Sequence, residues 1–226
     1  MIRHLVVFAR EPRLGRVKSR LAAGIGPLGA LRFYRTALAG LLRRVGRDGR
    51  WRVWLAVTPD RAAGARVWPK GVRVVPQGGG DLGVRMARPL RTFPPGPMVI
   101  VGSDIPDVDA PRIAAAFRAL GRHEFVFGPA EDGGYWLVGA ARRRVPRSMF
   151  AGVRWSSADA LADTLATLPR GASVGFVGTL DDVDDADAWR RWRDRGRPAL
   201  RRENDRWEPL PSVRVDTCER TYTGEL

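Results

Sequence analysis

Two carboxylates, Glu131 and Asp132, stand directly before the glycine pair Gly133-Gly134. The apolar run Phe125 to Phe127 precedes them and Tyr135 to Val138 follows, which reads as strand, tight acidic turn, strand. Two charges at such a turn are costly unless a metal or a polar ligand uses them. A second acidic turn, Gly102-Ser-Asp-Ile-Pro-Asp107, closes the apolar run Met98 to Val101. Carboxylates at a strand end suit Mg²⁺ or Mn²⁺, which take few protein oxygens and complete their shell with substrate phosphate and water. Asp104 is the ligand candidate here; Asp107 and Asp109 read instead as helix-start residues. The run Asp181, Asp182, Asp184, Asp185 and Asp187 is so dense in like charge that some members must cap a helix or face solvent. Asp184 is the member that could complete a metal site.

The cations lie elsewhere. Arg10, Arg13, Arg16, Lys18 and Arg20 follow the first apolar run. Their loop lacks the glycine spacing of a Walker motif. Arg16, Lys18 and Arg20, alternating after Gly15, would bring three cations near one point at the end of the first strand. That is a phosphate clamp, in the place where open α/β sheets bind ligands; the alternative is a solvated basic loop. Gly78, Gly80 and Gly83 match the dinucleotide fingerprint, with Asp104 about twenty residues on. They sit mid-chain, however, so a glycine turn at a helix start is the simpler reading, and its N–H groups still suit a phosphate or ribose.

Other chemistries are excluded. The histidines are His4 and His123, with no serine or cysteine partner in evidence, and Cys218 is the single cysteine. Neither a Ser-His-Asp system nor a zinc site fits. Catalysis must use carboxylates, arginine, lysine and a metal. The net charge of +15 raises the question of nucleic acid. Twelve Lys/Arg against two acids fall in residues 1–50, and they are not interleaved with aromatics as in a single-strand groove, so no nucleic-acid partner is expected. No apolar run is long enough for a membrane span and the start lacks signal-peptide character; a cytoplasmic protein is expected.

These groups need a scaffold. Strand patterns at 3–9, 51–57, 72–75, 98–101, 125–127, 135–138 and 173–177 alternate with helical patterns at 28–45, 60–67, 82–90, 110–120, 156–168 and 186–195. Ser156 or Ser157 is the expected cap of the helix to 168, and Asp184 or Asp185 that of the last. Such alternation predicts a mostly parallel sheet with helices on both faces. The close pair around Gly133-Gly134 adds an antiparallel member. Residues 1–196 form the expected domain. Residues 197–226 read as a basic tail, partly ordered, in which Val213 and Val215 could add an edge strand.

Together the motifs resemble the DUF2064 family of glycosyltransferase-A-like, arsenosugar-associated transferases, within the nucleotide-diphospho-sugar transferase clan. The resemblance covers about residues 4–192. It rests on Phe8-Ala-Arg-Glu-Pro-Arg-Leu-Gly-Arg-Val-Lys-Ser-Arg-Leu21, Gln77-Gly-Gly-Gly-Asp-Leu-Gly-Val-Arg-Met86, the Asp104 turn, Gly128 to Trp136, Trp155-Ser-Ser157 and Leu180-Asp-Asp-Val-Asp184. Arg10, Ser19 and Ile105 stand where the family pattern usually has Lys, Thr and Cys. The resemblance implies a three-layer α/β/α sandwich with a mixed, mostly parallel sheet. It implies that Arg10, Gly15, Lys18 and Arg20 face nucleotide phosphates and that Gln77, Gly79 and Asp81 lie near the base or ribose. It gives Asp104 and Asp184 the metal. Glu131, Asp132 and Tyr135 would face the acceptor, with Trp136 shaping its pocket or simply packing the core. The expected activity is a metal-dependent glycosyltransferase with a nucleotide-sugar donor and a small-molecule acceptor. Lys18, Asp104, Glu131 and Asp132 would be its catalytic residues. The alternative is a nucleotidyltransferase that moves a nucleoside monophosphate from a triphosphate to a phosphorylated acceptor.

Overall fold

Leu5, Val6 and Val7 are all fully buried. A strand with no exposed face must run through the middle of a sheet covered on both sides, and each such side chain stabilises the fold by about 1.5–3 kcal/mol relative to exposure. The computed structural model, which describes residues 1–143, 145–195 and 210–215, has that arrangement. Strand β1 (His4–Arg10) pairs in parallel with β2 (Arg52–Thr58) on one side and β4 (Met98–Gly102) on the other. β3 (Arg73–Pro76) extends the sheet beyond β2.

Beyond β4 the direction changes. β5 (Phe125–Pro129) and β6 (Tyr135–Ala140) form the hairpin read from the glycine pair. β6 inserts antiparallel between β4 and β5, so with β7 (Ser173–Phe176) and β8 (Leu210–Arg214) the sheet order is β3-β2-β1-β4-β6-β5-β7-β8. β7 is parallel to β5. β8 lies antiparallel on the edge, with Val213 opposite Val174. The insertion matters for the site: the Glu131-Asp132 turn comes to the rim where β1 and β4 end.

Side-chain alternation assigns the helices to two layers. Leu5, Val7, Val99 and Val101 face α1 (Ser19–Gly46) and α3 (Ala110–Ala119). Val6, Ile100, Phe125 and Phe127 face α2 (Leu82–Thr92) and α4 (Ala160–Ala166). α5 (Ala186–Asp194) packs Trp189 and Trp192 against Phe33 and Ala37 of α1. Gly24 allows that approach, because a Cβ there would run into Ala186. This is the expected three-layer α/β/α sandwich.

Three helix boundaries differ from those the sequence pattern predicts. α1 starts at Ser19 rather than 28, with a non-helical break at Gly26 before Pro27. The Gly-Pro breaker is real, but the residues before it still coil. α4 starts at Ala160, preceded by Asp159, and is not capped by Ser156 or Ser157. Ser156 takes a left-handed backbone (φ 61), and the Ser157 hydroxyl donates to the Arg154 carbonyl instead. The short helix at 60–67 is a 3-10 turn, Asp60–Gly64. Of the tail, 196–209 and 216–226 lie outside the described residues. Among the described residues no helix is long and apolar enough to cross a membrane.

Candidate active site

Lys18 sits at the head of α1 with φ 50 and ψ 54, a left-handed conformation that a lysine adopts only when its surroundings impose it. The result is an inward side chain, 5% exposed. Its Nζ donates to Asp104 Oδ2 at 2.9 Å and also to Asp184 Oδ1. Burial alone would lower the ammonium pKa. The charges of Asp104 and Asp184, with their hydrogen bonds, outweigh it and hold Lys18 above its usual value. Asp184 is available because Asp185 caps α5, accepting from Ala188 N. Asp109 likewise caps α3 through Arg112 N, leaving Asp104 alone at the end of β4. The Val183 N–H reaches the Asp104 carbonyl at 3.4 Å, tying the two acidic segments together.

A third carboxylate joins the pair. Asp104, Asp182 and Asp184 each offer an oxygen, and these oxygens lie within 4.8 Å of one another. Burial, then the charge of Asp184, pushes the Asp182 carboxyl up to about 7. Burial pushes Asp184 up too, but Lys18 outweighs it and holds Asp184 below its usual value. The two carboxyls share a hydrogen bond that favours the proton on Asp182. With the Asp182 proton displaced, three carboxylates against the Lys18 ammonium leave an excess of negative charge on hard oxygen donors. That set fits a divalent cation such as Mg²⁺ or Mn²⁺. The dense aspartate run points to Asp184 in the sequence; the role of Asp182 emerges only from the fold.

On one side of this cluster lies a cleft of about 1270 Å³, its open mouth included, whose wall carries Arg10, Lys18, Arg20, Gln77 and Arg85. Arg20 Nη1 is 4.0 Å from Asp184 Oδ2. Burial, followed by the charge of Arg10, lowers the Arg85 pKa, as expected for cations converging without enough counter-charge. Arg85 stands on the first turn of α2, where its guanidinium donates to Gln77 Oε1 at 3.0 Å and to the Asp81 carbonyl at 3.2 Å. Gln77 is itself buried, its amide donating to the Ala9 and Ala56 carbonyls, so it fixes Arg85 relative to the ends of β1 and β2. Three other residues expected on this side do not reach the wall. Gly15 is exposed on the loop, the Gly79 carbonyl accepts from Arg88, and Asp81 caps α2 through Val84 N at 2.8 Å.

Tyr34 joins the two strand ends beneath the cleft. Its hydroxyl accepts from Arg10 N at 2.8 Å, donates to the Arg10 carbonyl at 2.9 Å, and lies 3.0 Å from Ser103 Oγ. Tyr34→Phe is expected to leave these buried groups short of partners and to destabilise the fold by about 1–3 kcal/mol. Urea unfolding checks this; an unchanged midpoint would mean that the network contributes nothing.

On the other side of Asp104 a second cavity, about 830 Å³ with its mouth, runs between α2 and the β5–β6 hairpin. Asp132 lines it, with Oδ1 accepting from Gly134 N at 2.9 Å. Glu131 does not line it; its backbone N–H donates to Asp181 Oδ1 at 3.2 Å. Gly133 holds the turn with φ 80, where a Cβ would run into the Ala158 carbonyl. Tyr135 lines the cavity while its hydroxyl lies 3.2 Å from Thr164 Oγ1, and burial drives its pKa up. Trp136 is also in the wall, but its indole N–H is committed to the Gly178 carbonyl. Ser156, with its left-handed backbone, lines both cavities. Ser156 and Arg85 therefore belong to the site, although nothing in their sequence spacing marks them as facing the rim.

The model of the DUF2064 family, described as an uncharacterized protein conserved in bacteria, matches residues 41–157, just over half of the chain. No curated protein matches in sequence. Among solved structures, a Desulfovibrio desulfuricans G20 protein provisionally named a nucleotide-diphospho-sugar transferase is 27% identical. The match covers 89% of this chain and 91% of that one, with a TM-score of 0.77. A 4-diphosphocytidyl-2C-methyl-D-erythritol synthase from Anaerococcus prevotii DSM 20548 is 12% identical over 87% of this chain and 96% of that one, TM-score 0.56. Rv0371c from Mycobacterium tuberculosis H37Rv is 21% identical over 85% and 98%, TM-score 0.52. At those identities the last two establish a shared fold.

Proposed function

This chain belongs to the DUF2064 family, and we propose that it is a metal-dependent glycosyltransferase with a nucleotide-sugar donor. The observation that carries the reading is the Asp104–Asp182–Asp184 cluster bridged by Lys18, at the seam between a cationic cleft and a cavity without cations. The name of the Desulfovibrio protein supports the same donor class. In this reading Arg10, Lys18, Arg20 and Arg85 hold the donor diphosphate. The acceptor hydroxyl oxygen forms a bond to the anomeric carbon as the bond from that carbon to the diphosphate oxygen breaks. The bonding pair leaves with the diphosphate, whose growing charge Lys18 and Arg20 stabilise. The acceptor proton passes to Asp132, which lines the acceptor cavity where Glu131 does not. Asp104, Asp182 and Asp184 would hold Mg²⁺ or Mn²⁺, which supplies further neutralisation of the leaving diphosphate.

A second reading, nucleotidyl transfer from a nucleoside triphosphate, draws on the same cleft. Four cationic side chains on one wall suit the charge of a triphosphate. The products separate the two. A panel of nucleotide sugars and nucleoside triphosphates, each with Mn²⁺ or Mg²⁺, is first ranked by thermal shift and then assayed for release. Metal-dependent stabilisation by a nucleotide sugar with nucleoside diphosphate release is the expected result. Pyrophosphate release would replace it with nucleotidyl transfer, and no metal-dependent shift from either class would overturn both.

A further inference from the structure

We infer that the acceptor is an uncharged hydroxy compound with an apolar body, not a phosphorylated one. The inference rests on the proposed transferase reading and concerns the cavity on the far side of Asp104. Its deep wall is apolar and aromatic, formed by Met86, Val138, Tyr135, Trp136 and Trp155. The Tyr135 and Trp155 rings meet edge to face, with centroids 6.5 Å apart. Such a wall takes an apolar ring or chain by removing its apolar surface from water.

Charge makes the choice sharper. The four cations of the site all lie on the donor wall, whereas the acceptor wall carries Asp104, Asp132 and Asp182 and no Lys, Arg or His. Asp104 and Asp182 belong to the proposed cation site. Asp132 remains, and among the described residues it forms no ion pair; the partner found for it is the Gly134 N–H two residues on. A phosphate dianion placed beside Asp132 would meet a carboxylate that no cationic side chain of this wall faces, an arrangement that costs free energy instead of supplying it. A neutral hydroxyl can donate its hydrogen bond to that same carboxylate. The exposed Ser156 hydroxyl, at the border of the two cavities, offers a second polar contact at the reacting end. The acceptor is therefore oriented with its hydroxyl at the rim and its apolar body towards Trp155.

The test uses a matched pair of probes, 2-naphthylmethanol and its phosphate monoester, titrated by calorimetry into the full chain with Mn²⁺ and the best nucleotide from the thermal-shift panel. Saturable binding of the alcohol, at least tenfold tighter than the phosphate, is expected. Asp132→Lys, on an exposed turn, is expected to narrow or invert that ratio. Equal or tighter binding of the phosphate by the unaltered protein would overturn the inference, as would failure of both probes to bind while the nucleotide binds. Failure of every nucleotide to bind, with the alcohol still preferred, would remove the transferase reading and leave the chemistry of the cavity standing.

Discussion

Asp104→Asn is expected to remove Mn²⁺- and Mg²⁺-dependent nucleotide binding and to slow transfer by about 10³-fold. The amide keeps the shape of the carboxylate, so the turn after β4 should hold. It removes one of the three negative charges that face the proposed cation and one of the two that face Lys18. Asp104 is only partly buried, its side chain 33% exposed, so the effect on folding should be far smaller than the effect on function. Asp109→Asn is the matched control. Asp109 caps α3 and pairs with Arg112, so its loss should lower stability slightly and leave metal binding intact. Calorimetric titration of Mn²⁺ and nucleotide into both variants decides the matter. Full activity in Asp104→Asn would sink the metal-assisted mechanism.

The contrast between Asp104 and Asp109 also shows how far sequence carried the reading. Alternating apolar runs gave the layers, because a strand buried on both faces has few other homes. The antiparallel member was legible in the glycine pair, since only a short turn fits between Phe127 and Tyr135. Asp104 was legible because a carboxylate followed by Ile-Pro at a strand end has no partner in its own segment. Asp182 was not. It differs from its neighbours in the aspartate run only by where the chain turns after β7, and Asp185 takes the helix cap that would otherwise have explained the whole group. Lys18 stands out in the sequence by its charge, but its left-handed backbone and its burial between two acids depend on contacts 86 and 166 residues away. Glu131 and Asp132 are adjacent and alike in sequence. Which one faces the cavity is decided by the turn at Gly133, whose positive φ no composition argument supplies.

The carboxylate cluster should make both metal affinity and stability depend on pH, with a sign fixed by Asp182. Its carboxyl is held up to about 7 in the folded chain, against an unfolded value of about 3.9. Between those values the folded state keeps a proton that the unfolded state has lost. Stability in EDTA should therefore fall as pH rises from about 4 to about 7 and level off above. A cation bound by Asp182 must displace that proton, so Mn²⁺ affinity should rise about tenfold per pH unit towards 7 and flatten beyond it. Asp184 works in the opposite sense and in another window. Its lowered pKa gives stability that is present above about pH 4 and lost as pH falls through its folded value. Asp182→Asn should flatten the stability profile between about pH 4 and 7 without touching the acid limb that belongs to Asp184. Thermal unfolding from about pH 4 to 8 in EDTA, repeated with excess Mn²⁺, measures both effects. If the unaltered protein gains stability steadily across that range without metal, Asp182 does not carry the proton, and the cluster titrates as ordinary surface carboxylates.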